Sequence, residues 1–307
     1  YLMPTPLKLL AFDTSTDRLS VALSDGARLW QHSGPGGAQA STTLIPAILA
    51  LLAEAGLALD ELDAIAFGRG PGSFTGLRTA CAVAQGLAFG ANQGKGIPVL
   101  PVDTLMALAE EARFQRLDGA GERGQRGAGG AAASGGAAEV AGTAEASGAA
   151  DAESAANTSS ASSTAAAPLR VTALLDARMD EMYVQAYEFG AGQWRALGEC
   201  ALVRPEQLQP DGASALLAGN VFGVYAGRLP QGIAAFECVQ ALPLASAMLR
   251  LAPALVAAGH CVEAAQALPL YVRDKVALTT EERAQVKRDA AAANAVLPVV
   301  SNSSQPG

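Results

Sequence analysis

Short apolar runs alternate with stretches of helical apolar spacing along the first part of the chain. Runs of four to five apolar residues between polar or glycine-containing turns are typical of strands. Stretches in which apolar residues recur every three to four positions are typical of helices. The predicted strands are residues 8–12, 19–23, 28–32, 64–67 and 98–102, and the predicted helices are residues 42–55, 77–89 and 104 to about 114.

Three antiparallel strands followed by helix, strand, helix, strand and helix is the order of a ribonuclease-H-like lobe. The pattern restarts after residue 168, where further strands and a long apolar helix are predicted. We therefore predict an α/β protein with a first lobe at residues 7–117 and a second, smaller lobe at residues 169–277. The elements predicted in the second lobe are strands at residues 170–175, 183–187 and 194–203 and a helix at residues 244–258.

The two halves are separated by a segment of very different composition, residues 118–168. From Gly119 to Ala167, 36 of 49 residues are Ala, Gly or Ser, and Val140 is the only large apolar residue. Such a segment buries too little apolar surface to offset the entropy lost on ordering, so we expect a disordered insert between the lobes. Residues 278–307 are charged and then rich in Ala, Ser and Pro, which predicts a loose C-terminal tail.

Charge, cysteine and histidine content exclude several classes of function. A net charge of −8 argues against a protein that holds nucleic acid by itself, because phosphate affinity comes largely from Lys and Arg. The four cysteines form no CxxC pair, and the two histidines, His32 and His260, form no metal-binding HxxxH pair. We expect reduced thiols, a cytoplasmic location, and no apolar run of about 18 residues that could span a membrane.

The most distinctive stretch is a glycine-rich turn at residues 68–76, between a predicted strand and a predicted helix. Glycines allow the backbone to approach a ligand closely, and amides at a helix N-terminus favour an anion. The turn lacks the Gly-Lys-Ser/Thr of a P-loop and the third glycine of a dinucleotide fingerprint. An anion site and a tight strand-to-helix turn without a ligand both remain open. The candidate anion or nucleotide residues in this turn are Gly70, Gly72, Ser73, Thr75 and Gly76.

A second polar turn follows the first predicted strand, at Asp13, Thr14 and Ser15. Its residue types resemble the loop that holds a magnesium–phosphate group in two-lobed nucleotide-binding folds, with Asp176 as its counterpart in the second lobe. The alternative is an ordinary capped turn in which the carboxylate accepts backbone amides. Asp176 is followed by Ala177 and no hydroxyl or glycine donors, so the second half of a nucleotide site is eroded.

The predicted helices at residues 42–55 and 77–89 carry apolar or small residues around more of their circumference than the one face that packs on a core. Such a helix often covers a partner, although a sheet and a neighbouring helix can also bury both faces. Small residues spaced four apart on the second helix would let another backbone approach closely. We predict a partner interface at Leu44, Ile48, Leu51, Arg78, Ala82 and Gly86.

Four segments of the chain resemble the TsaB (YeaZ) family of glycoprotease-like proteins of tRNA threonylcarbamoyladenosine biosynthesis. They are LAFDTS at residues 10–15, GRGPGSFTGLR at 68–78, LDARMDEMY at 175–183 and PLYVR at 269–273. The resemblance covers residues 7–274 except the insert, which replaces a short connection in the family. The chain also has Ala40-Ser41 where many relatives have His-Ser or His-Thr.

The resemblance implies the two-lobed fold of the actin, sugar-kinase and heat-shock-ATPase (ASKHA) superfamily, with the helix at residues 244–258 returning to the first lobe. It implies an accessory, non-catalytic subunit that supports the TsaD transferase, which modifies the adenosine beside the anticodon in tRNAs reading codons that start with A. It implies further association with the TsaE ATPase, a homodimer when the partner is absent, and only indirect contact with tRNA. The partner surface of the family maps onto the helices at residues 42–55 and 77–89.

We therefore expect a scaffold subunit that needs no cofactor or metal of its own and does not associate with membranes. The alternative is a phosphotransferase or ATPase of the same fold that binds ATP or ADP and uses Asp13. A metalloprotease has little support because the sequence has no histidine pair.

Overall fold

The computed structural model describes residues 6–128 and 167–273, with only the main chain of residues 119–128 described. The described residues up to Leu270 form one compact unit, and residues 271–273 belong to a second one. The first unit contains two five-stranded mixed sheets, as the predicted α/β fold of two lobes requires. Most of the predicted disordered insert (residues 129–166) and all of the predicted C-terminal tail (residues 278–307) lie outside the described residues.

The first sheet has the strand order β3-β2-β1-β4-β5. Strands β1, β2 and β3 are antiparallel neighbours, and β4 and β5 run parallel to β1. The order of elements is the predicted one, and α3 continues past the predicted end near residue 114 into the first eleven residues of the predicted insert, 118–128. The elements are β1 (Leu9–Asp13), β2 (Arg18–Ser24), β3 (Leu29–Pro35), α1 (Ala40–Ala55), β4 (Ala64–Gly70), α2 (Phe74–Gly90), β5 (Val99–Asp103) and α3 (Thr104–Ala128).

The second sheet has the order β10-β9-β6-β7-β8 and contains two strands that the sequence analysis missed, β9 and β10. All four residues of β9 are buried, so the strand lacks the alternation that marks a half-buried strand. The elements are β6 (Leu169–Asp176), β7 (Met182–Gly190), β8 (Gln193–Val203), β9 (Leu216–Gly219), α4 (Val221–Val224), β10 (Glu237–Gln240) and α5 (Ala245–Ala257). Short 3-10 turns lie at Gly37–Gln39, Leu59–Glu61, Asn92–Gly94, Pro205–Gln207, Gln231–Ala235 and Ala264–Gln266.

Strand alternation divides the core of the first sheet into two layers. Successive side chains of a strand point to opposite faces, so Leu10 and Phe12 pack under α1 and α2, while Leu9 and Ala11 pack under α3 and α5. Strand β4 repeats this division, with large side chains toward α1 and α2 and alanines on the other face. The small side chains leave room for α5, which follows the second sheet in sequence but packs on the first.

A buried ion-pair network joins α5 to α3 and to the second sheet. The Glu110 carboxylate is 2% exposed and accepts hydrogen bonds from Arg113, from Arg250 on α5 and from the indole N–H of Trp194 on β8. Burial opposes the ionisation of Glu110, but these donors together outweigh it and lower the pKa of the carboxyl group. Arg250 also donates to Glu111, at 2.6 Å.

The expectation that no apolar run is long enough to span a membrane is wrong by length and composition. Among the described residues, Gly37–Ala55 forms a stretch of 19 residues with a mean hydropathy of 1.3, long and apolar enough to cross a membrane by length and composition alone. Several of its apolar side chains, including Leu44 and Leu52, belong to the core under the first sheet. Helix packing therefore accounts for part of this apolar composition.

Glu110→Gln is expected to destabilise the fold by about 3 kcal/mol at pH 7, because two guanidinium groups lose their buried carboxylate. Because folding lowers the pKa of Glu110, its ionised carboxylate adds to the free energy of unfolding at pH values above the unfolded pKa of about 4.3. This added stability disappears as the pH falls through the folded pKa. Urea unfolding of both proteins at pH 7 and pH 3 measures this difference. Glu61→Gln, which removes an exposed pair with Lys8, is the control and should change little; equal effects of the two substitutions would contradict the prediction.

Candidate nucleotide loop and partner-binding helices

The glycine-rich turn packs directly on the Asp13 loop. A Cβ atom at Gly76 would lie 1.8 Å from the carbonyl oxygen of Thr14, and one at Gly72 would lie 2.6 Å from the Cβ of Ser15. The amide of Ser73 donates to the Ser15 carbonyl at 2.7 Å, and the Thr14 hydroxyl donates to the Gly76 carbonyl at 2.7 Å. The two loops of the first lobe that were predicted to bind an anion or nucleotide therefore contact each other directly.

Asp13 is enclosed at the centre of this contact, with 1% of the residue exposed. Its Oδ1 accepts the amide of Ser15 at 2.8 Å and its hydroxyl at 2.6 Å. Its Oδ2 faces Gly68, where a Cβ would lie 1.9 Å away, and the methyl of Met248 on α5 lies beside the same position. Burial raises the pKa of Asp13 to about 6, against the bonds from Ser15 and Thr104 that lower it. The enclosed carboxylate does not fit a hydrated magnesium ion in this conformation.

The other candidate anion residues are divided between buried and exposed positions. Gly70 is buried with a φ of +120°, which favours glycine, and its amide donates to the Thr104 hydroxyl at 3.2 Å. Ser73 and Thr75 are exposed at the start of α2, and the Thr75 carbonyl accepts the hydroxyl of Thr79. Because the Ser73 amide is already paired with Ser15, the predicted anion site loses one of its donors.

Asp176 in the second sheet is also engaged by its own chain. Its Oδ1 accepts the Tyr225 hydroxyl at 2.6 Å and the Arg178 amide at 3.0 Å. The three residues Arg178, Met179 and Asp180 all have φ near +60°, a left-handed turn that costs about 1–3 kcal/mol per non-glycine residue. Arg178 also pairs with Asp17, in the turn between β1 and β2 of the first sheet. The eroded second half of a nucleotide site thus serves as a turn that links the two sheets.

No metal cluster accompanies these carboxylates. Within residues 6–128 and 167–273, no group of three or more His, Cys, Asp or Glu side chains is placed to hold a metal ion.

Helices α1 and α2 lie on the same side of the first sheet and share its core. Leu44, Ile48 and Leu51 are at most 5% exposed and point into that core, so their prediction as partner contacts is wrong. The opposite face of α1 carries Ile45, 42% exposed, and Leu49, 55% exposed. These exposed positions could not be told from the buried ones in the sequence, because α1 is apolar around most of its circumference.

The predicted interface residues of α2 lie on the exposed face of that helix. Arg78, Ala82 and Gly86 are exposed, and Phe89 on the same face is 72% exposed. The guanidinium of Arg78 stacks on the ring of Phe74, 3.8 Å from its centre. A Cβ at Gly86 would meet no atom within 4 Å, so the fold does not require glycine there. The combined surface of Ile45, Leu49, Ala82, Gly86 and Phe89 is called the α1–α2 face below.

Asp13→Asn is expected to abolish a pH dependence of stability. The folded pKa of about 6 exceeds the unfolded value of about 3.9, so the wild-type protein should lose about 1.4 kcal/mol of unfolding free energy between pH 5 and pH 8 as the buried carboxyl ionises. The amide keeps the oxygen that accepts from Ser15 and removes the buried charge. Urea titrations across this pH range test the expectation.

Asp118→Asn, which removes an exposed carboxyl group on α3, should retain the pH dependence of the wild type. A wild-type stability that rises between pH 5 and pH 8, or a slope that persists in Asp13→Asn, would contradict the assignment to Asp13.

The chain is similar to proteins of tRNA threonylcarbamoyladenosine biosynthesis. A family model described as "TsaD: tRNA N6-adenosine threonylcarbamoyltransferase" matches residues 36–145. The chain is 27% identical to TsaB of Escherichia coli K12 over 88% of its own length and 96% of that protein. It is similar in structure to YeaZ from Pseudomonas aeruginosa, with a TM-score of 0.61 and 36% identity over 87% of this chain and all of that one. It is also 30% identical to Haemophilus influenzae TsaB over 88% of its own length and 95% of that protein, and it therefore belongs to the TsaB family of tRNA threonylcarbamoyladenosine biosynthesis proteins.

Proposed function

We propose that this chain acts in tRNA threonylcarbamoyladenosine formation as a non-catalytic subunit that binds and activates the TsaD transferase. The observation that carries the proposal is the α1–α2 face, an exposed apolar surface on a chain of the TsaB family. We infer the pathway from the names of the relatives and the mode of action from the exposed apolar side chains of the α1–α2 face.

The α1–α2 face has the composition of a helix-pairing surface. Leu49 and Phe89 are more than half exposed, and burying each side chain against a partner contributes about 1.5–3 kcal/mol. Between them, Ala82 and Gly86 present little side-chain volume, so a helix of the partner can approach the α2 backbone closely. Binding that favours the active arrangement of the transferase shifts its population toward that state.

The environment of the two aspartates supports an accessory role over catalysis. A general base or metal ligand must reach its substrate, whereas Asp13 is enclosed by Gly68 and Met248. Asp176 is occupied by the Tyr225 hydroxyl. A phosphotransferase or ATPase acting through Asp13 would need the α5 contact to open, and this alternative is not favoured.

The remaining partners follow from the same surface and from charge. A second copy of the chain would cover the α1–α2 face when the transferase is scarce, so homodimer and heterodimer compete. TsaE joins the complex. The transferase rather than this chain contacts tRNA, because the chain carries a net charge of −8. The complex works in the cytoplasm and does not associate with a membrane. The chain needs no cofactor of its own, and the pairing of the Ser73 amide with the Ser15 carbonyl disfavours ATP or ADP at the glycine turn.

Gly86→Leu is expected to weaken the complex with the transferase by at least about 100-fold, since the added side chain blocks close helix approach while meeting no atom of its own fold. Calorimetric titration of the purified transferase into each variant measures the change. Ala257→Leu, at an exposed position on α5, is the matched control and should bind as the wild type does. If Gly86→Leu binds the transferase with unchanged affinity, the α1–α2 face is not the binding surface.

Reconstitution of tRNA threonylcarbamoylation tests the role itself. The other components are the transferase, TsaE and TsaC, the family's enzyme that makes the threonylcarbamoyl-adenylate. We expect product from them only when this chain is added, and little product with Gly86→Leu. Asp13→Asn should support full activity if the carboxylate has no catalytic part. Full product without the chain would contradict the accessory role. Loss of product with Asp13→Asn, in a protein that remains folded, would favour the alternative that the chain is itself an enzyme.

A further inference from the structure

A cavity of about 330 Å³ lies at the junction of the two sheets, between α3, α5 and the β7–β8 hairpin. It is on the opposite side of the first sheet from α1 and α2, so it is separate from the α1–α2 face. Its volume is within the range of small-molecule sites, which occur preferentially at such junctions.

The walls of the cavity are mainly apolar and partly aromatic. Phe189 and Trp194 come from the hairpin, and Leu251, Ala254 and Leu255 come from α5 and its end. The two rings pack against each other with centres 5.2 Å apart, and the Trp194 ring also meets Tyr187 edge-on. This packing restrains the rings, which makes them suitable walls for a flat apolar group.

The polar floor is Glu110, whose capacity to accept hydrogen bonds is already filled. Oε1 accepts from Arg113 and Arg250 at 2.9 and 3.0 Å, and Oε2 accepts from Arg113 and Trp194 at 2.8 and 2.9 Å. A carboxylate offers about four acceptor positions, and all four are in use. Glu110 therefore orients its neighbours and offers nothing to a ligand.

The groups that remain for a ligand are donors. Arg113 and Arg250 use Nε and Nη2 for Glu110 and Glu111, and no described residue accepts a hydrogen bond from Nη1 of either one. Both guanidinium planes are held in place by rings, Arg113 over Phe189 at 4.4 Å and Arg250 over Phe114 at 4.1 Å. His260 lies at the rim, and the charged side chains lining the cavity are two arginines and one glutamate.

We propose that this cavity binds a small organic anion, a flat aromatic ring that carries one carboxylate group. The ring lies between Trp194 and the apolar residues of α5, and the carboxylate accepts hydrogen bonds from the free Nη1 groups of Arg113 and Arg250. The ligand contacts α3, α5 and the second sheet together, so its binding stabilises the junction between the sheets.

Nuclear magnetic resonance of the full-length chain provides a direct test, because the protein has two tryptophans and therefore two indole N–H signals. The probes are 1-naphthylacetate, its neutral amide 1-naphthylacetamide and the cation 1-naphthylmethylamine. The acid should shift the Trp194 signal saturably with a Kd below about 1 mM and leave the Trp30 signal in place. The amide should bind at least about ten-fold more weakly, and the amine should not bind.

Ala254→Phe fills the cavity without touching the charged network and should abolish the shift. Ala257→Phe, on the exposed side of the same helix, is the matched control and should retain it. If Ala254→Phe does not fold, Leu255→Trp serves the same purpose. Absence of a shift with 10 mM acid, equal binding of the amine, or retained binding in a folded cavity-filling variant would each overturn the proposal. None of these outcomes bears on the α1–α2 face, which the cavity does not include.

Discussion

The close contact between the glycine-rich turn and the Asp13 loop is the constraint on which the first lobe depends. Gly68, Gly72 and Gly76 each lie where a single additional carbon would collide with residues 13–15. These contacts hold the end of β1 against the end of β4 and the start of α2. Because α2 begins inside this contact, its direction is set there, and so is the placement of its exposed face. Glycine is needed here so that two backbone segments can pack closely. An anion-binding loop needs glycine for the same close approach, so the sequence pattern alone does not distinguish the two.

The two lobes are joined mainly through helices. The face of the first sheet that carries alanines accepts α5, and α5 in turn brings Arg250 to the buried Glu110 beside Trp194. A buried carboxylate of this kind is stable only while its donors remain in place, so the network favours one arrangement of α3, α5 and the β7–β8 hairpin. Helices α1 and α2 lie on the other side of the first sheet, which leaves them free of this junction.

Sequence reasoning succeeded where pattern and turn chemistry agree. The strands β1 to β5 have clear apolar runs with glycine or aspartate turns, and their order identified the fold. Strand β9 was missed because four residues that are all buried show no periodicity. The residues predicted as partner contacts on α1 lie on its buried face, because Leu44 and Ile48 are indistinguishable in type from the exposed Ile45 and Leu49. Only tertiary packing decides which pair is covered. The enclosure of Asp13 depends on Met248, which is more than two hundred residues away in sequence, so no local pattern could indicate it.

The late position of α5 in the chain affects how the protein is made. Leu9, Ala11 and Leu100 need α5 to cover them, yet more than a hundred residues separate the end of α3 from the end of α5. At about 5–20 residues per second, the ribosome takes on the order of 10 s to supply that helix after α3 has been synthesised. During this interval the alanine-bearing face of the first sheet has α3 but not α5 to cover it. The first lobe therefore completes its core only after α5 has been synthesised, and this interval is when it is most exposed to aggregation and most in need of a chaperone.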